Sequence, residues 1–302
     1  MPVHLPPISR RDFLSAAVAT GAGLLLPHHL WARAEADPDR WILLSDTHIP
    51  DQRDKELRDI RPAANFERAR DEYLTAAANA AGLIVSGDLA IHEGLPGDYQ
   101  LLAELVRPIR EAGIPLHLAL GNHDHRGNFY DAFPDARPAK EPPVPDKHVS
   151  IVQTRHANWF VLDSLVKTLY TPGRLGEVQL QWLARALDAA ADRPALIVAH
   201  HNPTNATENN PLEDTAALLD VLLPRPQVKA FFFGHSHRWE FAQRDGLHLI
   251  NLPTLVWVFD GKSPQGWVDA RLRADGMDLE LHGLDRSHAA HGKITPFPWR
   301  TG

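Results

Sequence analysis

The sequence predicts an α/β fold in which helices cover mixed β-sheets. Short apolar runs of strand length alternate with longer amphipathic segments for most of the chain, a pattern typical of such folds. Five of the apolar runs end abruptly in a polar cluster, as strands of open α/β sheets do at their carboxyl ends. The 302 residues are 44% hydrophobic and 23% charged, which provides enough apolar material for a large buried core.

Five elements are predicted in the first half of the chain. Short apolar runs predict strands, and apolar residues at three- and four-residue spacing predict helices, the first of which follows Pro62. In chain order they are a strand over 41–45, a helix over 63–81, a strand over 83–85, a helix over 98–112 and a strand over 114–120. Residues 134–147 are rich in proline and charge, which predicts a surface loop.

The second half of the chain is predicted to change from alternating strands and helices to β-structure alone. The alternating part has strands over 149–154 and 159–162, joined as a hairpin, a helix over 176–191, a strand over 195–199, a helix over 212–223 and a strand over 228–233. The last part has strands over 247–251, 255–258, 266–272 and 277–282. We find no repeat or linker that would divide this part of the chain, so a single domain over 35–302 is predicted.

Composition and charge exclude several classes of protein. The chain has no cysteine, so it contains no disulfide, iron–sulfur cluster, thiolate zinc site or cysteine nucleophile. Its 38 acidic and 31 basic residues give a formal charge of −7, and we therefore expect no nucleic-acid binding surface. It has 18 histidines, however, and these can build metal sites together with oxygen ligands.

The first 34 residues contain, in order, the parts of an export signal. Arg10 and Arg11 form a twin-arginine pair, an apolar stretch follows over 15–26, and residues 32–34 offer a small-residue cleavage site. The apolar stretch is shorter than the about 20 residues of a membrane span, so we expect no stable span in the mature protein. We predict a twin-arginine signal peptide over 1–34, recognised by the twin-arginine export machinery, and a periplasmic or extracellular protein. The alternative is a basic tail beside a short core helix.

Polar clusters with metal-ligating side chains follow five predicted strands. They are Asp46 and His48, Asp88, Asn122 and His123, His200 and His201, and His235 and His237. Residues i and i+2 of an extended segment point the same way, so the first and last clusters can each present two ligands to one point. Carboxylate and imidazole ligands without thiolate suit divalent iron, manganese or zinc. Seven or more good ligands are too many for one catalytic ion and suit two ions that share a carboxylate.

Each cluster alone has an ordinary structural explanation. An aspartate after a strand is usually a turn or a helix cap, and neighbouring histidines are usually a hydrogen-bonded pair near the surface. The tetrad Gly-Asn-His-Asp over 121–124 is the exception, because turn chemistry does not need it. The occurrence of all five clusters, each after an apolar run, favours one functional site over five separate turns.

The clusters resemble the motifs of the calcineurin-like metallophosphoesterase superfamily over about residues 40–260. The matching motifs are Asp46-x-His48, Gly87-Asp88, Gly121-Asn122-His123-Asp124, His200-His201-x-Pro203 and Gly234-His235-x-His237. A finer resemblance, to the class III cyclic-nucleotide phosphodiesterase and glycerophosphodiesterase branch, includes Asp98-Tyr99 and residues 175–183. The superfamily implies a four-layer α-β-β-α sandwich with two mixed β-sheets.

The resemblance implies a role for each residue of the clusters. The first of two divalent metal ions would be held by Asp46, His48 and His237, the second by Asn122, His200 and His235, and Asp88 would bridge them. His123 would act as general acid toward the leaving-group oxygen, and Asp124 would orient its imidazole or tune its charge. The nucleophile would be hydroxide held between the ions.

The implied activity is hydrolysis of a small-molecule phosphate ester, with a phosphodiester as the expected class. The alternatives are a phosphomonoesterase on the same site and a non-catalytic scaffold with this fold. Ile91 stands where purple acid phosphatases have a tyrosine, so a tyrosinate-bound ferric ion is not expected. The sequence leaves open whether His92, His125 or His201 touches the substrate.

Overall fold

The structure is a computed structural model that describes residues 35–138, 141–203 and 211–301. The strands in these residues are β1 (Asp37–Leu44), β2 (Ala80–Val85), β3 (Leu116–Leu118), β4 (Ser150–Gln153), β5 (Asn158–Val161), β6 (Ala195–Val198), β7 (Val228–Phe233), β8 (Glu240–Arg244), β9 (Leu247–Asn251), β10 (Gly266–Arg273), β11 (Gly276–Gly283) and β12 (Ile294–Pro298). The α-helices are α1 (Pro62–Ala76), α2 (Pro96–Glu111), α3 (Arg126–Ala132), α4 (Glu177–Ala189) and α5 (Thr215–Leu222), and a 3-10 turn covers Pro134–Ala136. The predicted signal peptide lies outside the described residues.

The strands form two mixed six-stranded sheets. In the first sheet the order is β12-β11-β10-β1-β2-β3, with β1, β2 and β3 parallel and the other neighbours antiparallel. In the second sheet the order is β4-β5-β6-β7-β9-β8, with β5, β6, β7 and β9 parallel. Each sheet therefore has a parallel group of strands whose carboxyl ends lie at one edge, where α/β sheets bind ligands.

The two sheets pack face to face, and helices cover their outer faces. Side chains alternate along β1, so that Leu43 packs between the sheets while Ile42 joins a cluster with the side chains of α1 and α2. Strand β7 alternates in the same way, with Phe232 between the sheets and Phe231 packed with α4 and α5. These clusters confirm the four-layer α-β-β-α sandwich. Among the described residues, no helix is long and apolar enough to cross a membrane.

Helix α1 ends earlier than the sequence predicts. It begins at Pro62 and ends at Ala76, whereas apolar spacing predicts a helix to Ala81. The end of the predicted helix instead joins the first sheet, where Ala80 lies opposite Asp37 of β1. Burial in the sheet therefore overrides the high helix propensity of alanine.

One predicted strand is wrong, and three elements are missing from the prediction. Residues 255–258 form a loop, in which Leu255 and Val256 are buried and Trp257 lines a cavity. The unpredicted elements are α3, β8 and β12. Strand β8 is exposed at every residue and β12 contains two prolines, so neither shows the apolar alternation of a half-buried strand. Helix α3 has 7 residues, too few for a clear helical period.

Candidate metal centre

The polar clusters meet where strands of both sheets end. Asp46 follows β1 and Asp88 follows β2 in the first sheet, whereas His200 follows β6 and His235 follows β7 in the second. The backbone N–H of His235 donates a hydrogen bond to the Asp46 carboxylate at 3.1 Å. The candidate site is therefore a seam between the two sheets.

Five of the expected ligands have a left-handed backbone conformation. The φ angles are 50° at Asp46, 45° at His48, 49° at Asp88, 67° at His235 and 53° at His237. Residues other than glycine rarely adopt such angles, and they do so mostly at functional sites where the surrounding structure holds them. The chain thus turns sharply after these strands, and the turns bring the five side chains to the seam.

Two glycines leave the room that the carboxylates occupy. A Cβ atom on Gly234 would overlap the carboxylate of Asp46. A Cβ atom on Gly121 would overlap the carboxylate of Asp88 and the ring of His200. Glycine is needed at both positions because these groups approach the backbone closely.

The carboxylates of Asp46 and Asp88 lie among three imidazoles. The Nε2 atom of His237 is 3.3 Å from Asp46 Oδ1, and the Nε2 atoms of His48 and His237 are 3.2 Å apart. Asp88 Oδ2 lies 3.2 Å from His200 Nε2 and 3.7 Å from His48 Nε2. The possible ligand atoms at the seam form four overlapping compact groups: Asp46, His48 and His237; Asp46, Asp88 and His200; His48, Asp88 and His123; and His200, His201 and His235.

Several buried polar atoms near the seam lack hydrogen bonds within the described residues, Asn122 Oδ1 and both ring nitrogens of His200 among them. The amide oxygen of Asn122 has no partner within the described residues, although Asn122 lines the cavity over the seam. The Nε2 atom of His200 is close to Asp88 but makes no well-directed hydrogen bond there. The ring of His235 lies 5.2 Å from that of His200. Unpaired buried polar atoms are costly, so their presence beside two carboxylates fits a bound divalent cation.

The protonation of two of the imidazoles, His48 and His235, suits metal binding, whereas that of His200 competes with it. Burial lowers the pKa of His48 to about 3 and that of His235 to about 4, so both rings are neutral near pH 7 and keep a lone pair. Burial opposes the charge on His200 as well, but the Asp88 carboxylate outweighs it and raises the pKa of His200 to about 9. Burial alone would raise the pKa of Asp88, yet the neighbouring His200 charge holds it well below its usual range.

Asp124 does not orient His123, contrary to the prediction. Its buried carboxylate accepts four hydrogen bonds of 2.8–3.1 Å, from the backbone N–H groups of Leu89, Ala90 and Gly121 and from the Tyr99 hydroxyl. Asp124 therefore ties the loop of Asp88 to the loop of Asn122. Burial, followed by the repulsion of Asp88, raises the pKa of Asp124 to about 6.

A backbone carbonyl holds the ring of His123 instead. Its Nδ1 atom lies 2.9 Å from the carbonyl oxygen of His92. A carbonyl only accepts hydrogen bonds, so Nδ1 is the protonated nitrogen, and Nε2 is the atom that can gain or lose a proton. The backbone N–H of His123 donates to Asp88 Oδ1 at 2.9 Å, and a ring nitrogen lies within 4.8 Å of possible ligand atoms of His48 and Asp88.

A cavity of about 810 Å³ opens over the seam. His123 and His92 both line it, with their ring centres 5.5 Å apart. His125 lies outside this lining and caps the N-terminus of α3. His201 is buried behind it, with Nδ1 2.8 Å from the Ser164 hydroxyl. Of the three histidines that the sequence left open, His92 is therefore the one that faces the cavity.

Part of the cavity wall consists of residues that the sequence analysis missed. These are Arg58, Trp257 and Phe259, which lie in loops. Trp257 falls in the apolar run that predicts a strand, and Arg58 lies in a charged segment without a motif. The Asp-Gly pair at 260–261 is the available signal, because such pairs favour turns and argue against a strand that ends at Val258.

Fold and site together define a class, the metal-dependent phosphoesterases, in which carboxylate, imidazole and amide ligands converge beneath an open cavity. The family described as Calcineurin-like phosphoesterase matches residues 40–239 of the chain. Because this match covers well over half of the sequence, the chain belongs to that family. It is therefore a hydrolase of phosphate esters.

Two curated relatives and one solved structure illustrate the similarity. The chain is 28% identical over 260 residues to the 3',5'-cyclic adenosine monophosphate phosphodiesterase CpdA of Escherichia coli (strain K12), covering 81% of this chain and 90% of that protein. It is 25% identical over 217 residues to the glycerophosphodiester phosphodiesterase GpdQ of Enterobacter lignolyticus (strain SCF1), covering 70% and 76%. The structure of a dimetal phosphatase from Danio rerio matches 87% of this chain and 100% of its own, with a TM-score of 0.69 and 17% identity, which shows a shared fold.

Proposed function

We propose that the protein is a two-metal phosphodiesterase. The main observation is the position of the Asp88 carboxylate, 3.2 Å from His200 of one sheet and 3.7 Å from His48 of the other. A carboxylate between two groups of ligands can be shared by two cations. Relatives described as cyclic adenosine monophosphate and glycerophosphodiester phosphodiesterases support a diester as substrate.

Seven residues would hold the two ions. They are Asp46, His48 and His237 for the first, Asn122, His200 and His235 for the second, and Asp88 for both. Their oxygen and imidazole donors suit iron, manganese or zinc. When bound, the ions would offset the negative charge of the phosphoryl oxygens and lower the pKa of a water molecule to near neutrality.

His123 is the proposed general acid. The His92 carbonyl fixes the Nδ1 side of its ring, which leaves Nε2 to carry the second proton of the imidazolium. That proton would pass to the departing alkoxide, a step that typically contributes about 10²–10⁴-fold to the rate. Asp124 takes no direct part in the transfer, because its carboxylate is occupied in holding the two loops together.

Hydrolysis of two test esters examines this function. Metal-loaded protein is expected to hydrolyse bis-p-nitrophenyl phosphate with a higher kcat/KM than p-nitrophenyl phosphate, because the cavity has room for a second organic group. The reverse order would indicate a phosphomonoesterase. No metal-dependent hydrolysis of either ester would indicate a scaffold. The Asp88→Asn variant, purified in parallel, controls for contaminating enzymes.

We also propose that the protein is exported by the twin-arginine route to the periplasm or beyond. The order of the Arg10-Arg11 pair, the apolar stretch and the cleavage site supports this. Replacing both arginines by lysine keeps the charge but removes the pair, and should leave the precursor in the cytoplasm. Cell fractionation checks this, with exposed Arg286→Lys as a control that should export normally. Export of the double variant at the wild-type level would contradict the proposal.

A further inference from the structure

Three flat side chains form one wall of the cavity, and we name Arg58, Trp257 and Phe259 the flat wall. The Arg58 guanidinium carbon lies 5.1 Å from the centre of the Trp257 ring and 5.6 Å from that of Phe259. The Trp257 ring lies 5.0 Å from the ring of His48, and the Phe259 ring lies 4.7 Å from that of His237. The flat wall therefore adjoins two of the proposed ligands of the first ion.

Backbone hydrogen bonds hold two members of the flat wall, Trp257 and the turn that carries Arg58. The carbonyl oxygen of Trp257 accepts a hydrogen bond from His237 Nδ1 at 2.6 Å. Arg58 lies in a turn that is closed by two backbone hydrogen bonds between Leu57 and Ile60, at 2.8 and 3.1 Å. Backbone that is held in this way loses little conformational freedom when the side chains it carries bind a partner.

The flat wall also presents an exposed aromatic ring and an exposed guanidinium group to the cavity. Phe259 is 60% exposed although it is fully apolar. The guanidinium of Arg58 is exposed, and no carboxylate within the described ranges lies at ion-pair distance from it. Aromatic faces and a guanidinium plane are best covered by another flat ring, which gains stacking, cation–π attraction and apolar burial together.

We infer that the flat wall binds the organic group of the substrate and selects a planar heteroaromatic ring, as a nucleoside ester carries. The inference rests on the proposed function for the place of the phosphate and adds which esters bind well. The group bound on Trp257 and Phe259 stays close to the metal centre, so it belongs to the same molecule as the phosphate. A glycerol or ethanolamine group has no flat face to place there and binds less tightly.

Binding measured by calorimetry tests the inference without requiring hydrolysis. Adenosine monophosphate and glycerol phosphate carry the same phosphate and differ in the organic group. Metal-loaded wild type should bind the nucleotide roughly tenfold more tightly, which is within the range that stacking of one base provides. Phe259→Leu keeps an apolar side chain but loses the ring, so it should bind both ligands alike. Phe259→Tyr should restore the preference.

Phe241→Leu is the matched control. Phe241 is also an exposed phenylalanine, but it packs on Trp239 and Phe297 and does not line the cavity. Its replacement should leave the nucleotide preference unchanged. A preference lost equally in both variants would show that phenylalanine supports the fold and not the ligand.

Kinetics on two diesters give a second measurement. Phe259→Leu should raise the KM for cyclic adenosine monophosphate roughly tenfold while kcat changes by less than about twofold, because the lost contact is the same before and during the reaction. The kinetics of glycerophosphoethanolamine should hardly change. Equal binding of the two monophosphates by wild type would overturn the inference and leave the proposed function intact. A ring preference without metal-dependent hydrolysis of any diester would overturn the proposed function alone.

Discussion

The metal centre and the flat wall share one cavity but are held by different means. In the centre, Asp46, Asp88 and His200 are almost fully buried and follow strands whose positions two sheets determine. In the flat wall, Arg58 and Phe259 are exposed and lie in loops. The two regions therefore suit different tasks. Metal ligands must keep fixed positions for the reaction, whereas residues that select the substrate can lie in loops and be exchanged there.

Removal of the shared carboxylate should break the centre and spare the flat wall. Asp88→Asn keeps the size of the side chain but removes the negative charge that two cations would share. Most of the activity should be lost, and fewer ions should remain bound per chain. Elemental analysis after metal loading and steady-state kinetics measure both effects. Wild-type protein that binds one ion at saturation would contradict the two-ion site.

Removal of the proposed general acid should slow the hydrolysis of some diesters more than others, according to their leaving group. His123→Ala should slow hydrolysis of an alkyl diester by about 10²–10⁴-fold. The loss should be much smaller for an aryl diester, because p-nitrophenolate departs without a proton. His92→Ala is the matched control, since the carbonyl that holds His123 remains. Equal losses of kcat/KM for both diesters in His123→Ala would rule out the general-acid role.

The charge on His200 predicts how metal affinity depends on pH. Although burial opposes its charge, the Asp88 carboxylate raises the pKa of His200 to about 9, so a cation must displace a proton below that pH. Affinity for zinc or manganese should therefore rise about tenfold per pH unit between pH 7 and 9. In metal-free protein the same group contributes stability that is complete below about pH 6.5 and lost as the pH rises through about 9. Competition with a chelator at several pH values measures the affinity, and a flat profile would contradict the prediction.

The hydrogen bonds of the buried Tyr99 hydroxyl should affect the free energy of unfolding more than the choice of substrate. The Tyr99 hydroxyl donates to Asp124 at 3.0 Å and accepts from the backbone N–H of His125 at 2.7 Å. Tyr99→Phe leaves both groups short of a partner and should lower the free energy of unfolding by about 1–3 kcal/mol. Tyr170→Phe, which removes an exposed hydroxyl bonded to Glu213, should change it by less than about 0.5 kcal/mol. Urea denaturation compares the two variants. Equal losses in the free energy of unfolding would show that the buried hydroxyl stabilises the protein no more than the exposed one.

The sequence was informative wherever a local pattern determines the structure. A buried strand needs consecutive apolar residues, so the run over 41–45 predicts a strand. Few side-chain types bind metal, so Asp46 and His48 after that run predict metal ligands at its end. The convergence of distant clusters could also be predicted, because parallel strands end at one edge of a sheet.

Features that depend on contacts between distant loops could not be predicted in this way. Asp124 stands beside His123 in the sequence, yet its carboxylate bonds to groups near Leu89 and to Tyr99. Trp257 lies in a run as apolar as a strand, and only the packing of the finished fold turns it toward the cavity. Strand β8 has no buried face, so its pairing with β9 through backbone hydrogen bonds, and not an apolar pattern, defines it as a strand.

The hydrogen bond from His235 to Asp46 joins residues 189 positions apart in the chain. Contacts of such long range form late in folding, because closure of a long loop costs entropy before any contact repays it. A complete but partly folded chain thus contains every histidine of the centre, yet until the two sheets meet its ligands do not converge on one point. Metal binding therefore requires that both sheets have folded and packed together. Protein that has misfolded at the seam should be recognisable because it binds no metal.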